Sequence, residues 1–235
     1  MESPLSVVPL KLALILGASV AYIVLGVAAA HFFRRPVEGA FWRMRLNQVT
    51  AIALALAHIT TLIISRGLNR TAMAVGTACY LAGLLLFLWA QETLKRQPPY
   101  LSFSEVPPDS FEDGGPYRYV RHPIYVAYGF IWLGAPIATG NLWLLVSALW
   151  MIASYAVAAT EEEALFDRTP LAARYRAYAR HTGMFVPRPS FTARPTDPAE
   201  SEFGRVVLWL VIAVILILTG VLVMDALWHA PLPGR

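Results

Sequence analysis

Six apolar runs, each close to the length of a membrane crossing, constrain this chain more than any other feature. They are Val7–Phe33, Leu46–Ser65, Thr71–Ala90, Ile124–Thr139, Leu142–Thr160 and Val206–Met224. A helix needs roughly 20 apolar residues to cross about 30 Å of hydrocarbon. Only helices or closed barrels satisfy every backbone group there. The expectation is an all-α polytopic membrane bundle with six spans. The alternative is five spans plus a re-entrant hairpin, because the fourth run is short. Composition agrees: 57% of the 235 residues are hydrophobic and 14% charged, against about 25% charged in soluble domains. Lys11 is the only early basic residue, and the first run is longer than the ~7–15 residues of a signal core, so it reads as a membrane helix. The lone Cys79 excludes an intrachain disulfide.

Basic residues set the expected orientation. Fifteen fall in the loops after the first, third and fifth runs and four elsewhere. Positively charged loops stay inside, so these three loops are expected in the cytoplasm and both termini outside, in a multi-pass protein of a bacterial inner membrane. The net charge of +4 then reflects topology and anionic headgroups, and nothing points to nucleic acid. Three regions follow: 1–91 as an N-terminal three-helix part, 92–190 as the core, and 191–235 as a linker and last span. Trp209 and Trp228 bracket that span as interface anchors.

The chemistry concentrates in Gly115-Pro116-Tyr117-Arg118-Tyr119-Val120-Arg121-His122-Pro123-Ile124-Tyr125. Charge beside hydrocarbon is costly, so such a cluster at a membrane boundary marks a site. Proline suits a first helical turn, and the positive end of a helix favours an anion such as a carboxylate. Gly140-Asn141 is a tight turn, so the next helix returns to the face it left. Glu161-Glu162-Glu163 should therefore emerge close to Arg121-His122. Pro98, Pro99, Pro107 and Pro108 keep the preceding loop from forming one helix. Its Glu105, Asp109, Glu112 and Asp113 suit a flap over a bound cation. Gly114-Gly115 allows a close backbone approach. Ala164–Arg180, rich in arginine and tyrosine, suits a helix lying in the interface, broken near Pro170.

A cationic patch, an acidic patch and tyrosine rings together suit a ligand with an α-amino acid end, an adenine and a positive sulfonium. Arginine, histidine and the helix end would take its carboxylate, the glutamates its ammonium, and the rings its adenine and its cation. No Gly-rich phosphate loop and no metal-ligand spacing competes. His58, in mid-membrane, is either a proton acceptor or a cross-helix hydrogen-bonding group.

Gly115-Pro116-Tyr117, Arg121-His122-Pro123-Ile124-Tyr125, Glu161-Glu162-Glu163, Tyr175-Arg176-Ala177-Tyr178 and Val186-Pro187-Arg188 resemble, in order and spacing, the isoprenylcysteine carboxyl methyltransferase family and the wider superfamily of integral membrane phospholipid methyltransferases. The resemblance spans about 84–188. It implies an S-adenosyl-L-methionine-dependent enzyme that binds its cofactor at the cytoplasmic membrane edge and takes a lipophilic acceptor laterally from the bilayer. It carries cofactor binding to Tyr117, His122, Pro123, Ile124, Tyr125 and one glutamate of the triplet. With Arg121 added for its charge, the expected cofactor-binding set is Tyr117, Arg121, His122, Pro123, Ile124, Tyr125, Glu161, Glu162 and Glu163, and the expected catalytic set Arg121, His122, Glu161 and Glu163, with no metal. Counting forward to Leu165 favours Glu161 as the key glutamate, whereas counting back from Tyr175 favours Glu163. Val157 and Ala159 stand where prenylcysteine-specific members place an arginine. The implied acceptor is thus a lipid amine headgroup or another small lipophilic nucleophile, ahead of a prenylcysteine carboxylate. The alternatives are an NADPH-dependent membrane sterol- or enone-type reductase, whose motif differs after the proline, and a non-catalytic binding or assembly protein.

Overall fold

The computed structural model describes residues 8–36 and 42–188. The expected sixth span, its tryptophan anchors and the linker before it lie outside the described residues. Within them the fold is all helical. The long helices are α1 (Val8–His31), α2 (Trp42–Ile64), α3 (Arg70–Leu94), α4 (Pro123–Thr139) and α5 (Leu142–Phe166), with a short α6 (Ala172–His181) after them. A 3-10 turn, Gly115–Arg118, precedes α4. Four of these helices, α1, α2, α3 and α5, are long and apolar enough to cross a membrane. The fourth run forms the shorter α4 of 17 residues, about 26 Å at 1.5 Å per residue.

Local signals start and stop these helices. Asn69 caps α3 by accepting a hydrogen bond from Ala72 N at 3.0 Å. Asn141 caps α5 by accepting from Trp143 N at 2.9 Å and Leu144 N at 3.2 Å. Such side-chain oxygens satisfy amides that the helix itself leaves unpaired. Between α4 and α5, Gly140 adopts φ +64° and closes α4, a left-handed cap that costs glycine little. The two helices therefore fold back on each other through two residues.

Helix α3 is the centre of the bundle and packs most extensively on α4. Small residues make that contact close. A Cβ on Gly83 would lie 2.7 Å from Ala127 O, and one on Gly134 would lie 2.7 Å from the Tyr80 ring. Small residues at crossings let membrane helices approach closely enough for dispersion to hold them. Leu14, Phe87, Ile131, Trp132 and Met151 fill the layers between. By contrast, α1 and α2 display Leu12, Ile23, Val49, Ile52 and Leu56 outward. That apolar exterior is what a helix presents to lipid.

Two expectations need correction. Helix α5 does not stop at Thr160 but continues through the glutamates to Phe166, because Glu, Ala and Leu are good helix formers. Pro170 then ends the helical run, as expected, and α6 begins at Ala172. The tyrosines of α6, in the segment expected to lie in the interface, also do not face outward. Tyr175 and Tyr178 are buried against Phe111 and Phe166, with the Phe166 and Tyr175 rings stacked at 3.9 Å. Tyr178 finds its polar partner inside, donating to Tyr117 O at 2.6 Å.

Candidate functional site

The geometry of the site follows from α5 being helical through residues 161–163. Successive residues on a helix point about 100° apart, so the three carboxylates fan out to three different partners. Glu161 accepts two hydrogen bonds from Arg43 of α2, at 2.7 and 3.0 Å. Glu162 accepts from the Tyr125 hydroxyl of α4. Glu163 accepts from Arg121 Nε at 2.7 Å and Nη2 at 3.0 Å.

His122, the residue just before α4, lies between two of these groups. Its Nε2 is 3.0 Å from Glu163 Oε1, and its Nδ1 is 3.7 Å from Glu162 Oε2. The hairpin therefore does bring the cationic and acidic patches together. His122, Tyr125 and Tyr155 form a continuous ring stack, with centroids 5.6 and 5.4 Å apart and planes within 14°.

Arg121 is not a free cation. Besides Glu163, it donates through Nη1 to Thr182 O at 2.5 Å and to Ala179 O at 3.1 Å. Its backbone N–H and that of His122 donate to Gly183 O and Met184 O at 2.8 and 3.1 Å. Gly183 is required there, since a Cβ would lie 1.8 Å from Val186 O. Arg121 thus ties α4 and α5 to the segment after α6.

A cavity of about 330 Å³ opens against this cluster, lined among others by Tyr117, Arg121, His122, Ile124, Tyr125 and Glu162. That volume lies within the range of about 300–1,000 Å³ typical of small-molecule sites. Of the triplet, Glu162 lines it; Glu161 and Glu163 do not, nor does Pro123. Neither count along the sequence selects Glu162, because the choice depends on helix phase. Burial, and after it the nearby Tyr178 and Glu162, push the Tyr117 phenol well above its ordinary range, so it stays a neutral ring with its proton.

The loop 95–114 forms one wall. Arg34, at the end of α1, holds it by two 2.9 Å hydrogen bonds to Asp109 and lies over Tyr100 at 4.2 Å. Hydrogen bonding from Arg34 brings the Asp109 carboxyl down to about 2. Glu112 accepts from the Asp113 and Gly114 amides at 3.1 and 3.0 Å. Gly115 (φ +51°) takes the backbone past Thr93, whose Oγ1 would lie 2.5 Å from a Cβ. These acidic residues brace the loop; Asp109 and Glu112 also reach the cavity wall.

A second cavity of about 320 Å³ lies between α1 and α2, reaching Tyr22, Ala51, Ala55 and Trp132. Leu101, Ser102 and Tyr128 line both cavities and form the partition. Ser102, Arg43 and Phe111 carried no signal in the sequence, since nothing in their spacing marks them.

His58 stands away from this centre. Its Nε2 is 2.7 Å from Ser147 Oγ and its Nδ1 is 3.1 Å from the Tyr22 hydroxyl. Ser147 donates its own proton to Leu144 O at 2.8 Å, so it accepts from Nε2–H, and Nδ1 accepts from Tyr22. Ser147 lies 15 residues before Glu162 on α5, about 22 Å along the axis. His58 is a cross-link between helices and is out of reach of the glutamate cluster as a base. Val157 is exposed on the bundle exterior and Ala159 is fully buried, so neither places a polar group in the cavity.

Residues 71–169 match the family model of the phospholipid methyltransferases, so this stretch is similar to the integral membrane methyltransferases that the motifs resemble. No curated protein and no solved structure matches the chain.

Proposed function

We propose, starting from that family match, that the chain transfers a methyl group from S-adenosyl-L-methionine to a lipophilic acceptor taken from the bilayer. One observation carries the reading: a polar, aromatic cavity built on His122, Tyr125 and Glu162 meets an apolar cavity between α1 and α2 across a thin partition. The cofactor, when bound, supplies a methyl group on a positively charged sulfur. The residues present fit it. Glu162 reaches the cavity for an ammonium, whereas Asp109 and Glu112, also in its wall, are engaged by Arg34 and by the Asp113 and Gly114 amides; Arg96 and His122 line the same cavity for a carboxylate. The rings of Tyr117, Tyr125 and Tyr128 offer faces for adenine and for the sulfonium. Arg121 and Glu163 act by positioning, since their charges are already spent on each other.

Methyl transfer is an in-line displacement, and its catalysis comes mainly from holding two partners aligned and dry. A partition braced on both sides suits that task. The second cavity, walled by α1 and α2, is the acceptor side, and most of its lining lies outside the family-matched stretch. Acceptor choice therefore rests with the N-terminal helices. The excess of basic residues in the loops near this end supports a site at the cytoplasmic face.

The test is equilibrium binding of S-adenosyl-L-methionine to the purified protein, together with labelled methyl transfer into a total membrane lipid extract and mass identification of the product. Saturable binding weakened at least tenfold by Glu162→Gln is expected. No saturable binding to the wild type, or an unchanged affinity in Glu162→Gln, would refute the reading.

A further inference from the structure

The partition between the two cavities contains a hydrogen-bonded chain with a fixed direction. Tyr125 has one hydroxyl proton, and it is donated to Glu162 Oε1. In the 2.9 Å contact between Ser102 Oγ and the Tyr125 hydroxyl, Ser102 must then be the donor. The lone pairs of Ser102 are left to accept, and Ser102 lines the α1–α2 cavity as well as the polar one. The chain runs from the acceptor side to a carboxylate on the other side.

The surroundings hold Ser102 in place. The backbone before it is pinned by Leu101 N donating to Arg34 O at 3.0 Å and Arg34 N donating to Pro99 O at 2.9 Å. The backbone after it is strained: Phe103 and Glu105 adopt φ of +65° and +57°. A bulky residue in that region is strained and persists only where its surroundings enforce it. Arg43, already bound to Glu161, lies 4.8 Å over the Phe103 ring. One arginine thus fixes both the strained turn and the glutamate end of α5.

We infer that Ser102, Tyr125 and Glu162 form a proton relay that takes the proton from a protic acceptor, an amine or hydroxyl headgroup, lodged between α1 and α2. The inference rests on the methyl-transfer reading above. In the step, the acceptor proton moves to Ser102 Oγ, the Ser102 proton to the Tyr125 oxygen, and the Tyr125 proton to the Glu162 carboxylate. The freed lone pair forms the new bond to the methyl carbon, while the electrons of the broken carbon–sulfur bond stay on sulfur. A carboxylate acceptor, already anionic, would have no use for the relay.

The groups facing Glu162 are His122 at 3.7 Å, Tyr125, and Tyr117 and Tyr128 through space, with Glu161 and Glu163 on its own helix. His122 and the tyrosines remain in place in the variants that break the relay at Ser102.

Isotope-edited infrared titration of the solubilised protein, without cofactor, reads the Glu162 carboxylate directly, with Glu162→Gln assigning its band. A hydrogen bond donated to a carboxylate favours its charged form. Tyr125→Phe should therefore raise its titration midpoint by about one pH unit, a tenfold change in proton affinity, and Ser102→Ala should raise it less in the same direction. Midpoints unchanged in both variants would overturn the relay. Ser102→Ala should also lower labelled methyl transfer into the lipid extract about 100-fold, in the range of lost acid–base catalysis, with S-adenosyl-L-methionine affinity kept within about twofold. An unchanged rate, or label found on a carboxylate oxygen, overturns the relay but leaves the methyltransferase reading standing. Absent cofactor binding in the wild type defeats that reading, and the infrared midpoints still decide whether the hydrogen-bonded chain exists.

Discussion

Replacing Glu163 by alanine should damage this protein out of proportion to the size of the change. The Arg121 side chain is 9% exposed and that of Glu163 20%, so the pair lies largely out of water. Truncating one member of a buried pair leaves an uncompensated charge and costs about 3–5 kcal/mol. Here Arg121 would keep its two carbonyl partners, Ala179 and Thr182, which places the expected loss near the lower end, about 3 kcal/mol. For a chain of this size 1 kcal/mol corresponds to about 2–4 °C in melting temperature, so the midpoint in detergent should fall by about 6–12 °C. The internal control is the Arg176–Asp167 pair, where both side chains are 60% exposed. Exposed pairs contribute about 0–1 kcal/mol, so Arg176→Ala should leave the midpoint within about 4 °C. In the double variant Arg121→Met/Glu163→Met most of the loss should be recovered, because no charge remains buried. Equal melting temperatures for Glu163→Ala and Arg176→Ala would refute the view that this pair is the clamp of the site.

Three further outcomes are expected. The Asp109 carboxyl titrates at about 2 when folded, below its unfolded value near 4. The Arg34 tether should therefore hold fully above pH 4 and fail as the pH falls through about 2. Proteolysis of loop 95–114 by an acid-active protease should accelerate only in that window, and Asp109→Asn should cleave fast throughout it. Gly83→Ala would force a Cβ to within 2.7 Å of the Ala127 carbonyl, whereas a Cβ on Gly26 meets nothing within 4 Å. Overpacking costs about 1–3 kcal/mol, so Gly83→Ala should lower the melting temperature by several degrees and Gly26→Ala should not. Finally, Ala55→Trp should fill the α1–α2 cavity and abolish methyl transfer to lipid, while calorimetry still finds wild-type affinity for S-adenosyl-L-methionine.

Among the described residues, the sequence by itself determined the five long helices and their order. Run lengths near 20 apolar residues, the Gly140-Asn141 turn and the proline after His122 are local signals, and each acts within one or two turns of chain. They sufficed to carry Arg121-His122 and the acidic triplet to the same end of one hairpin. Which glutamate faces the cavity was beyond them. That depends on the rotational phase of α5, which is set when Ala148, Met151 and Tyr155 pack against the other helices. Tertiary contact likewise turned Arg121 from a candidate ligand group into a clamp, because the carbonyls that occupy it arrive from about 60 residues away. It also moved the α6 tyrosines inward and set Ser102 on the partition between two cavities. Backbone periodicity is a short-range property and can be read along the chain. The partner of a charge is decided by whatever packing brings within 3 Å, and no spacing in the sequence records that.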